Sequence, residues 1–266
     1  MNPLAAYIDG VGVIGPGLND WSAARSILSG EMPYQFQPVV LPLPESLPPA
    51  ERRRCGPLVK LTLAVGLEAV AAAGVDVKVV PTVFSASSGD GRVINDICET
   101  LASADRRISP TQFHMSVHNA ASGFWSIATG AMAPSSVLCA REGSFGAGVL
   151  EAITQVVVDG GPVLLVAYDT SYPEPLRSAA QTSEVLGIAL VFSAQRRKHS
   201  LTKISVTLTQ AAAGRMADAG LEALRGSVPT GRGLPLLASL ARGEAASLVL
   251  DYLSSTQLSV DVSPCS

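Results

Sequence analysis

The residues of this chain that could do chemistry lie in one stretch, Ser109–Ala152, which is rich in alanine, serine and glycine. Within it, the apolar run Ser136–Ala140 predicts a buried strand, and the almost wholly apolar run Gly143–Val158 predicts a buried helix. Arg141 and Glu142 stand side by side at the sharp turn between them. α/β enzymes place a nucleophile at such a turn, because the N–H groups of a helix N-terminus favour negative charge there. The residue that this turn offers is Glu142, which we interpret as a structural residue at a helix start, with a role as an acid or base left open.

Two other side chains near the turn could attack a carbonyl carbon, Cys139 and Ser144. A serine hydrolase of the G-x-S-x-G type needs glycine two residues before the serine, and Glu142 occupies that position. A reactive cysteine needs an exposed, electropositive setting, whereas Cys139 is predicted inside the strand and is expected to be inert core. The four cysteines show no disulfide or metal spacing and are interpreted as thiols packed mostly as small hydrophobic residues: Cys55, Cys98, Cys139 and Cys265.

Two histidines four residues apart, His114 and His118, would share a face if they lay on one helix. They do not form a zinc site alone, because a third ligand is missing nearby, so we expect hydrogen-bonded structural histidines. A nucleotide site is not indicated either, since the glycine-rich stretch Ser87–Gly91 is followed by Ile94 where G-x-G-x-x-G requires glycine. The sequence therefore predicts no metal and no cofactor.

A series of short motifs runs without a gap up to Glu142. They are Ser109-Pro110, Asn119, Ser122-Gly123-Phe124, Ala133-Pro134-Ser135 and Ala140-Arg141-Glu142. In these motifs the chain resembles the β-ketoacyl-[acyl carrier protein] synthases, or ketosynthases, of the thiolase superfamily. The resemblance places Glu142 at the position of the family's catalytic cysteine and leaves Cys139 three residues too early. Because the acyl transfer of that family needs a thiolate, the resemblance implies the fold without the chemistry.

Composition restricts the class of protein. The chain has 266 residues, 47% hydrophobic and 15% charged, so we expect one compact, well-buried unit. The net charge of −3 argues against a nucleic-acid partner. No apolar run reaches the roughly 18 residues of a membrane span, and the start MNPLAAYIDG does not resemble a signal peptide. We therefore expect a cytoplasmic protein.

The elements that position the turn are those of an α/β fold. Further strands are predicted at Ala6–Ile14, Val79–Ala86, Pro162–Tyr168, Val185–Ser193 and Leu201–Thr209, while Leu248–Leu253 and Gln257–Val262 are strands or helix ends. Helices are predicted at Trp21–Leu28, Leu58–Ala73 with Gly74 as its cap, 92–103, Arg215–Leu224 and Leu234–Arg242.

The resemblance implies a thiolase-like three-layer α/β/α fold with the N-terminal half retained and the C-terminal half strongly reduced. It covers residues 1–193, and residues 194–266 are expected to be a reduced region packed on the same core. In ketosynthases the second half carries two catalytic histidines. About 70 residues cannot hold that half, since a strand–helix–strand unit needs about 30 residues or more. The chain is therefore expected not to be an enzyme on its own.

Within the family, the chain resembles the chain-length factors, which are ketosynthase-like subunits without the nucleophile. Its small size and the stretch Ser116–Ile127 resemble a short branch found in type II systems for aryl polyene and xanthomonadin-like pigments. This implies a heterodimer with an active β-ketoacyl-[acyl carrier protein] synthase, which brings the acyl carrier protein. The residues expected at the end of the partner's acyl tunnel are Gln112, Phe113 and Met115. The residues expected at the subunit interface are Phe113, His118, Asn119, Phe124, Trp125, Val137 and Cys139. Two alternatives stay open, a free-standing acyl-transfer enzyme using Cys139 or Ser144 and a purely stabilising scaffold subunit.

Overall fold

The structure is a computed structural model that describes residues 3–180 and 182–265 of the chain. Residues 1, 2 and 181 of the predicted N-terminal region and residue 266 of the predicted C-terminal region lie outside the described residues. The strands are β1 (Leu4–Ile14), β2 (Thr82–Ser85), β3 (Ser135–Leu138), β4 (Val163–Asp169), β5 (Leu186–Ser193), β6 (Thr202–Thr209), β7 (Ala246–Leu250) and β8 (Gln257–Pro264).

In the described part of the chain these strands form one eight-stranded mixed sheet in the order β3-β2-β4-β5-β1-β6-β8-β7. The strand β2 runs parallel to both β3 and β4, and all other neighbours are antiparallel. The carboxyl ends of β3, β2 and β4 therefore meet at one edge of the sheet, where α/β proteins place their sites. The strand β3 lies at the end of the order and, among the described residues, has a neighbour on one side only.

The helices are α1 (Trp21–Leu28), α2 (Pro49–Arg54), α3 (Pro57–Ala73), α4 (Gly91–Ala102), α5 (Pro110–Met115), α6 (Ala120–Thr129), α7 (Ser144–Asp159), α8 (Leu176–Ala180), α9 (Ala219–Ser227) and α10 (Leu234–Arg242). Two 3₁₀ turns, Arg141–Gly143 and Pro229–Gly233, precede α7 and α10. Helices cover both faces of the sheet, which confirms the three-layer arrangement. On one face α3, α5 and α6 contribute to the core cluster that contains Phe84 and Leu164, and on the other α1, α7, α9 and α10 contribute to the cluster that contains Val83.

The helix α3 lies against the middle of the sheet, as its apolar periodicity predicted, and it ends at Gly74 in the left-handed conformation with φ 62°. Strand β1 carries Gly12 where the helix crosses. A Cβ on Gly12 would lie 2.1 Å from the carbonyl oxygen of Val65, so only glycine allows the backbone of the helix to come this close.

The C-terminal residues extend the same sheet. The two segments left open between strand and helix end are the strands β7 and β8, and β6 alternates between buried and exposed residues as predicted. The helix predicted from Arg215 begins instead at Ala219, because Asp218 caps it by accepting from the Leu221 N–H.

Two predictions near the site were also wrong. The strand β2 starts at Thr82 and not at Val79, because the N–H groups of Val79 and Val80 both donate to the Asp76 carbonyl in a turn. The helix α7 is not buried all round, because only the face that packs on the sheet is buried, as far as Val156, while Val157 and Val158 are exposed.

Candidate functional site

The candidate site lies where β3, β2 and β4 end, at Leu138, Ser85 and Asp169. The turn that carries Glu142 follows β3 directly and leads into α7. The predicted strand–turn–helix arrangement is therefore present. The turn itself is a 3₁₀ turn and not the first turn of the helix, which starts one residue later than predicted.

The backbone of this turn is strained at Arg141, which has φ 51° without being glycine. Glu142 is exposed, and in the part of the chain that the structure describes it makes no ion pair. Because the carboxylate is exposed, it can remain solvated and needs no partner such as Arg141. Nothing in this geometry holds the carboxylate towards a reacting group.

The N–H groups that a nucleophile turn offers to an oxyanion are already used. The Gly143 N–H donates to the Ala140 carbonyl at 3.0 Å, and the Ser144 N–H donates to the Arg141 carbonyl. An oxyanion hole needs free donors aimed at the developing charge. The Gly143 and Ser144 N–H groups are therefore not free to stabilise an oxyanion, and Glu142 stands where acyl transfer requires a thiol.

The loop between β7 and β8 covers the same turn. A Cβ on Gly143 would lie 1.7 Å from the carbonyl oxygen of Tyr252, and one on Gly146 would lie 2.4 Å from that of Asp251. Both glycines are thus needed for the loop to sit on the first turn of α7. The sequence did not indicate this, because nothing local to either segment identifies the contact.

Ser144 is a structural residue. Its side chain is buried, and its Oγ accepts from the Ala140 N–H at 2.9 Å. The hydroxyl also lies within donating distance of the Ala86 carbonyl, at 2.9 Å, and of the Arg141 carbonyl, at 2.7 Å. A hydroxyl held by three backbone groups ties the turn to the end of β2 and is not free to attack a substrate.

Cys139 is exposed, so the expectation of an inert core thiol was wrong. It lies one residue past β3, which is only partly covered because it has a neighbour on one side. The thiol donates to the Ser87 carbonyl at 2.7 Å. The broader interpretation of the cysteines as packed residues was wrong as well, since only Cys55 is buried among the four.

Asp169, at the end of β4, is the buried polar group of the site that sequence reasoning missed. Its Oδ1 accepts from the Ser87 N–H at 2.9 Å and from the Ser87 hydroxyl at 2.5 Å. Its Oδ2 accepts from the N–H and hydroxyl of Thr230. Burial raises the pKa of the Asp169 carboxyl, while these four hydrogen bonds act in the opposite direction. A carboxylate directly after a fully apolar strand was the one local signal that could have indicated it.

The two histidines do not share a helix. His114 is exposed on α5, whereas His118 follows that helix. The Nε2 of His118 is buried without a hydrogen-bond partner, so the expectation of a fully hydrogen-bonded histidine was wrong for it. It lines a small cavity with Met115 and Tyr168. Within residues 3–180 and 182–265, no group of three or more His, Cys, Asp or Glu side chains could hold a metal ion.

The residues expected at the tunnel and the interface fall into two groups. On α5, Phe113 is 65% exposed and Gln112 is half-buried, whereas Met115 is buried in the chain's own core. Phe124 and Trp125 are also core residues, and Trp125 packs edge-on against Phe84 with ring centroids 6.2 Å apart. Their placement at the interface needs correction, because their side chains have no surface left for a partner.

Exposed positions remain on the segment that leads from α5 to β3. Asn119 is exposed, Val137 is half-exposed on β3, and four large apolar side chains are turned to solvent. These four are Phe113, Val117, Ile127 and Met132, of which Met132 is 93% exposed. We refer to these four residues and the free side of β3 as the 113–138 surface. An exposed Met132 and an exposed Phe113 on one segment make this part of the chain a candidate protein–protein contact surface.

A network of charged side chains links α9 to the β7–β8 loop that covers the turn. Arg225 donates to both carboxylate oxygens of Glu222, at 2.8 and 2.9 Å, and to Asp251 at 2.9 Å. Arg225 holds the pKa of Glu222 at about 2, well below its ordinary value. The network thereby fixes the loop that carries Asp251 and Tyr252 against α9.

In the described residues no helix is long and apolar enough to cross a membrane. A family model described as the β-ketoacyl synthase N-terminal domain matches residues 21–247. A search of curated proteins gives no match.

Three solved structures have similar folds. One is described as a ketosynthase (ApeO) in complex with its chain length factor (ApeC) from Xenorhabdus doucetiae. The match has 23% identity and a TM-score of 0.74, and it covers 97% of this chain and 99% of that one. A type II polyketide synthase acyl-carrier protein in complex with its ketosynthase (AntDE:AntF) matches with 12% identity and a TM-score of 0.73. The ishigamide ketosynthase/chain length factor matches with 13% identity and a TM-score of 0.73, and in both cases all of each chain is covered. At these identities the likenesses establish the thiolase-like fold.

Proposed function

Because the chain belongs to the family of the β-ketoacyl synthase N-terminal domain, we propose that it is a non-catalytic, chain-length-factor-like subunit. In this role it pairs with an active β-ketoacyl-[acyl carrier protein] synthase and shapes the tunnel that receives the growing acyl chain. The acyl carrier protein reaches the complex through the partner.

One observation carries the proposal. The turn at Glu142 has its N–H groups already hydrogen-bonded, whereas the neighbouring 113–138 surface exposes apolar side chains. The turn at Glu142 has no thiol, and its Gly143 and Ser144 N–H groups are consumed. The strand β3, which ends directly before Cys139, has one neighbour only among the strands of the described residues, and exposed apolar side chains lie on the segment that leads to it. A chain that has lost the chemistry but keeps an apolar contact surface is suited to support a partner's chemistry.

Two further points support this role. The structure from Xenorhabdus doucetiae contains a chain length factor, and the matched chain is close to this one in length because nearly all of both chains is covered. We propose the same class of system, a type II synthase making an aryl polyene-like product. The cytoplasmic location and the division into residues 1–193 and 194–266 stay predictions, and the family match runs across residue 193.

The alternative of a free-standing acyl-transfer enzyme depends on Cys139, since the Ser144 hydroxyl is held by backbone groups. Incubation of the purified chain with an acyl thioester, followed by mass spectrometry of the peptide that carries Cys139, separates the two functions. We expect no stable acyl adduct. An acyl-enzyme at Cys139 that turns over would favour the enzyme.

Heterodimer formation is tested by co-expression with a candidate ketosynthase partner from the same genome, followed by measurement of the mass of the purified complex. We expect a one-to-one complex, and aggregation or self-association of the chain expressed alone. The variant Ile127→Glu/Met132→Glu places charge on the 113–138 surface and should abolish the complex. Leu208→Glu, at an exposed apolar position on β6, should not. A soluble monomer that does not bind the ketosynthase would contradict the proposal.

The scaffold alternative predicts a different product profile. A purely stabilising subunit affects the total amount of product, whereas a tunnel-shaping subunit also affects its length. Mass spectrometry of carrier-bound acyl chains from the reconstituted pair distinguishes the two, with variants described in the Discussion.

A further inference from the structure

The helix α3 has a second apolar stripe, besides the one that packs on the sheet. Lys60, Leu63, Ala64 and Leu67 lie at positions i, i+3, i+4 and i+7 and therefore share one face. This face lies beneath an extended, proline-rich segment, residues 38–46, which we call the strap. An apolar helical face normally packs closely against its neighbour.

The strap is fixed at its ends. Before it, the Gly17 N–H donates to the Gln37 carbonyl at 3.0 Å. At its far end, Arg52 donates to the carbonyls of Glu45 and Leu47 at 2.8 and 3.0 Å, and the Leu47 side chain is buried. In between, no hydrogen bond joins the strap to α3 in the part of the chain that the structure describes. Val39 and Leu41 of the strap pack against the core cluster that includes α3, whereas residues 42–46 line an open space beside the helix.

A cavity of about 550 Å³ remains between the strap and the helix. Leu63, Ala64 and Leu67 form its helical wall, and the strap contributes Pro42, Leu43 and Pro44. This volume lies in the range of small-molecule sites in proteins, roughly 300–1,000 Å³. The walls are mostly apolar, so the occupant must be mostly apolar as well.

Lys60 gives this cavity a charge. Its side chain is half-buried, and it makes no hydrogen bond or ion pair among the described residues. Glu45 lies on the same rim but is exposed and does not pair with the lysine. Lysine packs its aliphatic stem on apolar surface and keeps its ammonium group accessible, so Lys60 can offer that group to a negative ligand group at the cavity.

We propose that this cavity binds a medium-chain aliphatic carboxylate, with the alkyl chain under the strap and the carboxylate paired with the Lys60 ammonium. The site is separate from the proposed tunnel function. A growing acyl chain is attached as a thioester and has no free carboxylate, so Lys60 would not select it. The ligand class is therefore a free acid and not a carrier-bound intermediate.

Binding can be measured by titrating the full-length chain, in complex with its ketosynthase if it requires one, with decanoate labelled with ¹³C at its carboxyl carbon. We expect saturable binding, with the bound carboxyl signal shifted from that of free decanoate. Lys60→Met should weaken decanoate binding about tenfold and leave 1-decanol binding unchanged, because only the charge contact is lost. Ala64→Phe should weaken binding of both, because it places a phenyl ring in the space that the alkyl chain would occupy.

The matched control is Lys78→Met, which removes an exposed lysine away from the cavity and should change neither affinity. Thermal unfolding of each variant shows whether it folds, and Lys60→Arg, which keeps the charge, should retain most of the decanoate affinity. The inference is overturned if decanoate does not saturate the unmodified chain at millimolar concentration. It is also overturned if Lys60→Met and Ala64→Phe bind decanoate as the unmodified chain does.

Discussion

Asp169 and Thr230 are joined by two hydrogen bonds, with Oδ2 of Asp169 accepting from the Thr230 N–H at 2.9 Å and from its hydroxyl at 2.7 Å. The other oxygen, Oδ1, is held by Ser87 at the end of β2. One buried carboxylate thus connects the parallel strands to the 3₁₀ turn of the C-terminal region. All four contacts are donors, so the position requires a group that only accepts.

Asp169→Asn should therefore destabilise the chain. The amide keeps the shape of the carboxylate but turns an NH₂ group towards a backbone N–H, which leaves buried donors without acceptors. We expect the free energy of unfolding to fall by about 1–3 kcal/mol. Urea unfolding measures it, with exposed Asp159→Asn as the control that should change little. Equal stability of Asp169→Asn and the unmodified chain would show that the hydrogen bonds from Ser87 and Thr230 to the Asp169 carboxylate do not stabilise the fold.

The ion pair of Glu222 and Arg225 should make the free energy of unfolding depend on pH in the acid range. Because the pKa of Glu222 is about 2 in the folded chain and 4.5 ordinarily, the ionised form is favoured by folding. Its contribution is complete above pH 4.5 and is lost as the pH falls towards 2. Since the pair is partly exposed, Glu222→Gln should cost only about 1 kcal/mol near neutral pH and nothing at the acid end. A stability difference that does not vary with pH, or an equal effect of exposed Glu244→Gln, would argue against this.

Glu142 should be dispensable for bond-making. Glu142→Gln keeps the shape of an exposed side chain and removes only its charge, so the reconstituted pair should keep most of its turnover. Glu142→Cys should not create a second acylated site, because the Gly143 and Ser144 N–H groups are already bonded. Turnover and acyl labelling of the intact complex measure both effects. Complete loss of turnover in the Gln variant would show that the carboxylate acts chemically.

Phe113 and Gln112 should help to set product length. Both lie on α5 with exposed or half-exposed side chains, free to reach a partner's tunnel. A tunnel end accepts no extra methylene without strain of about 1–3 kcal/mol, so Phe113→Ala should lengthen the product and Gln112→Trp should shorten it. Mass spectrometry of the carrier-bound acyl chains measures product length, once each variant is shown to form the complex. If both variants lower the amount and leave the length distribution unchanged, the two side chains only pack the interface.

The regular elements were predictable because they depend on local patterns. The apolar periodicity of α3, its glycine cap, and the apolar runs of β4 and β5 each give the element within one or two residues. The position of Glu142 at a strand–turn–helix junction also follows from the apolar runs that precede and follow it in the sequence. These features need no knowledge of distant parts of the chain.

The environment of the turn was not predictable, because it depends on partners far along the chain. The contact of Tyr252 with Gly143 and the clamp between Asp169 and Thr230 join segments with no shared pattern. The exposure of Cys139 depends on β3 being the last strand of the sheet, which the sequence does not specify. The burial of Trp125 depends on Gly66, which leaves room on α3 for the indole ring.

The free side of β3 has a consequence for how the protein must be produced. An unpaired strand edge presents a row of N–H and C=O groups that can pair with any extended peptide, including another copy of the same chain. Chains made in excess of their partner would therefore accumulate as aggregates or be degraded. We expect a cell that uses this protein to make both subunits in matched amounts and close together in time, since a partner bound at this edge, as proposed above, would also prevent self-association of the chain.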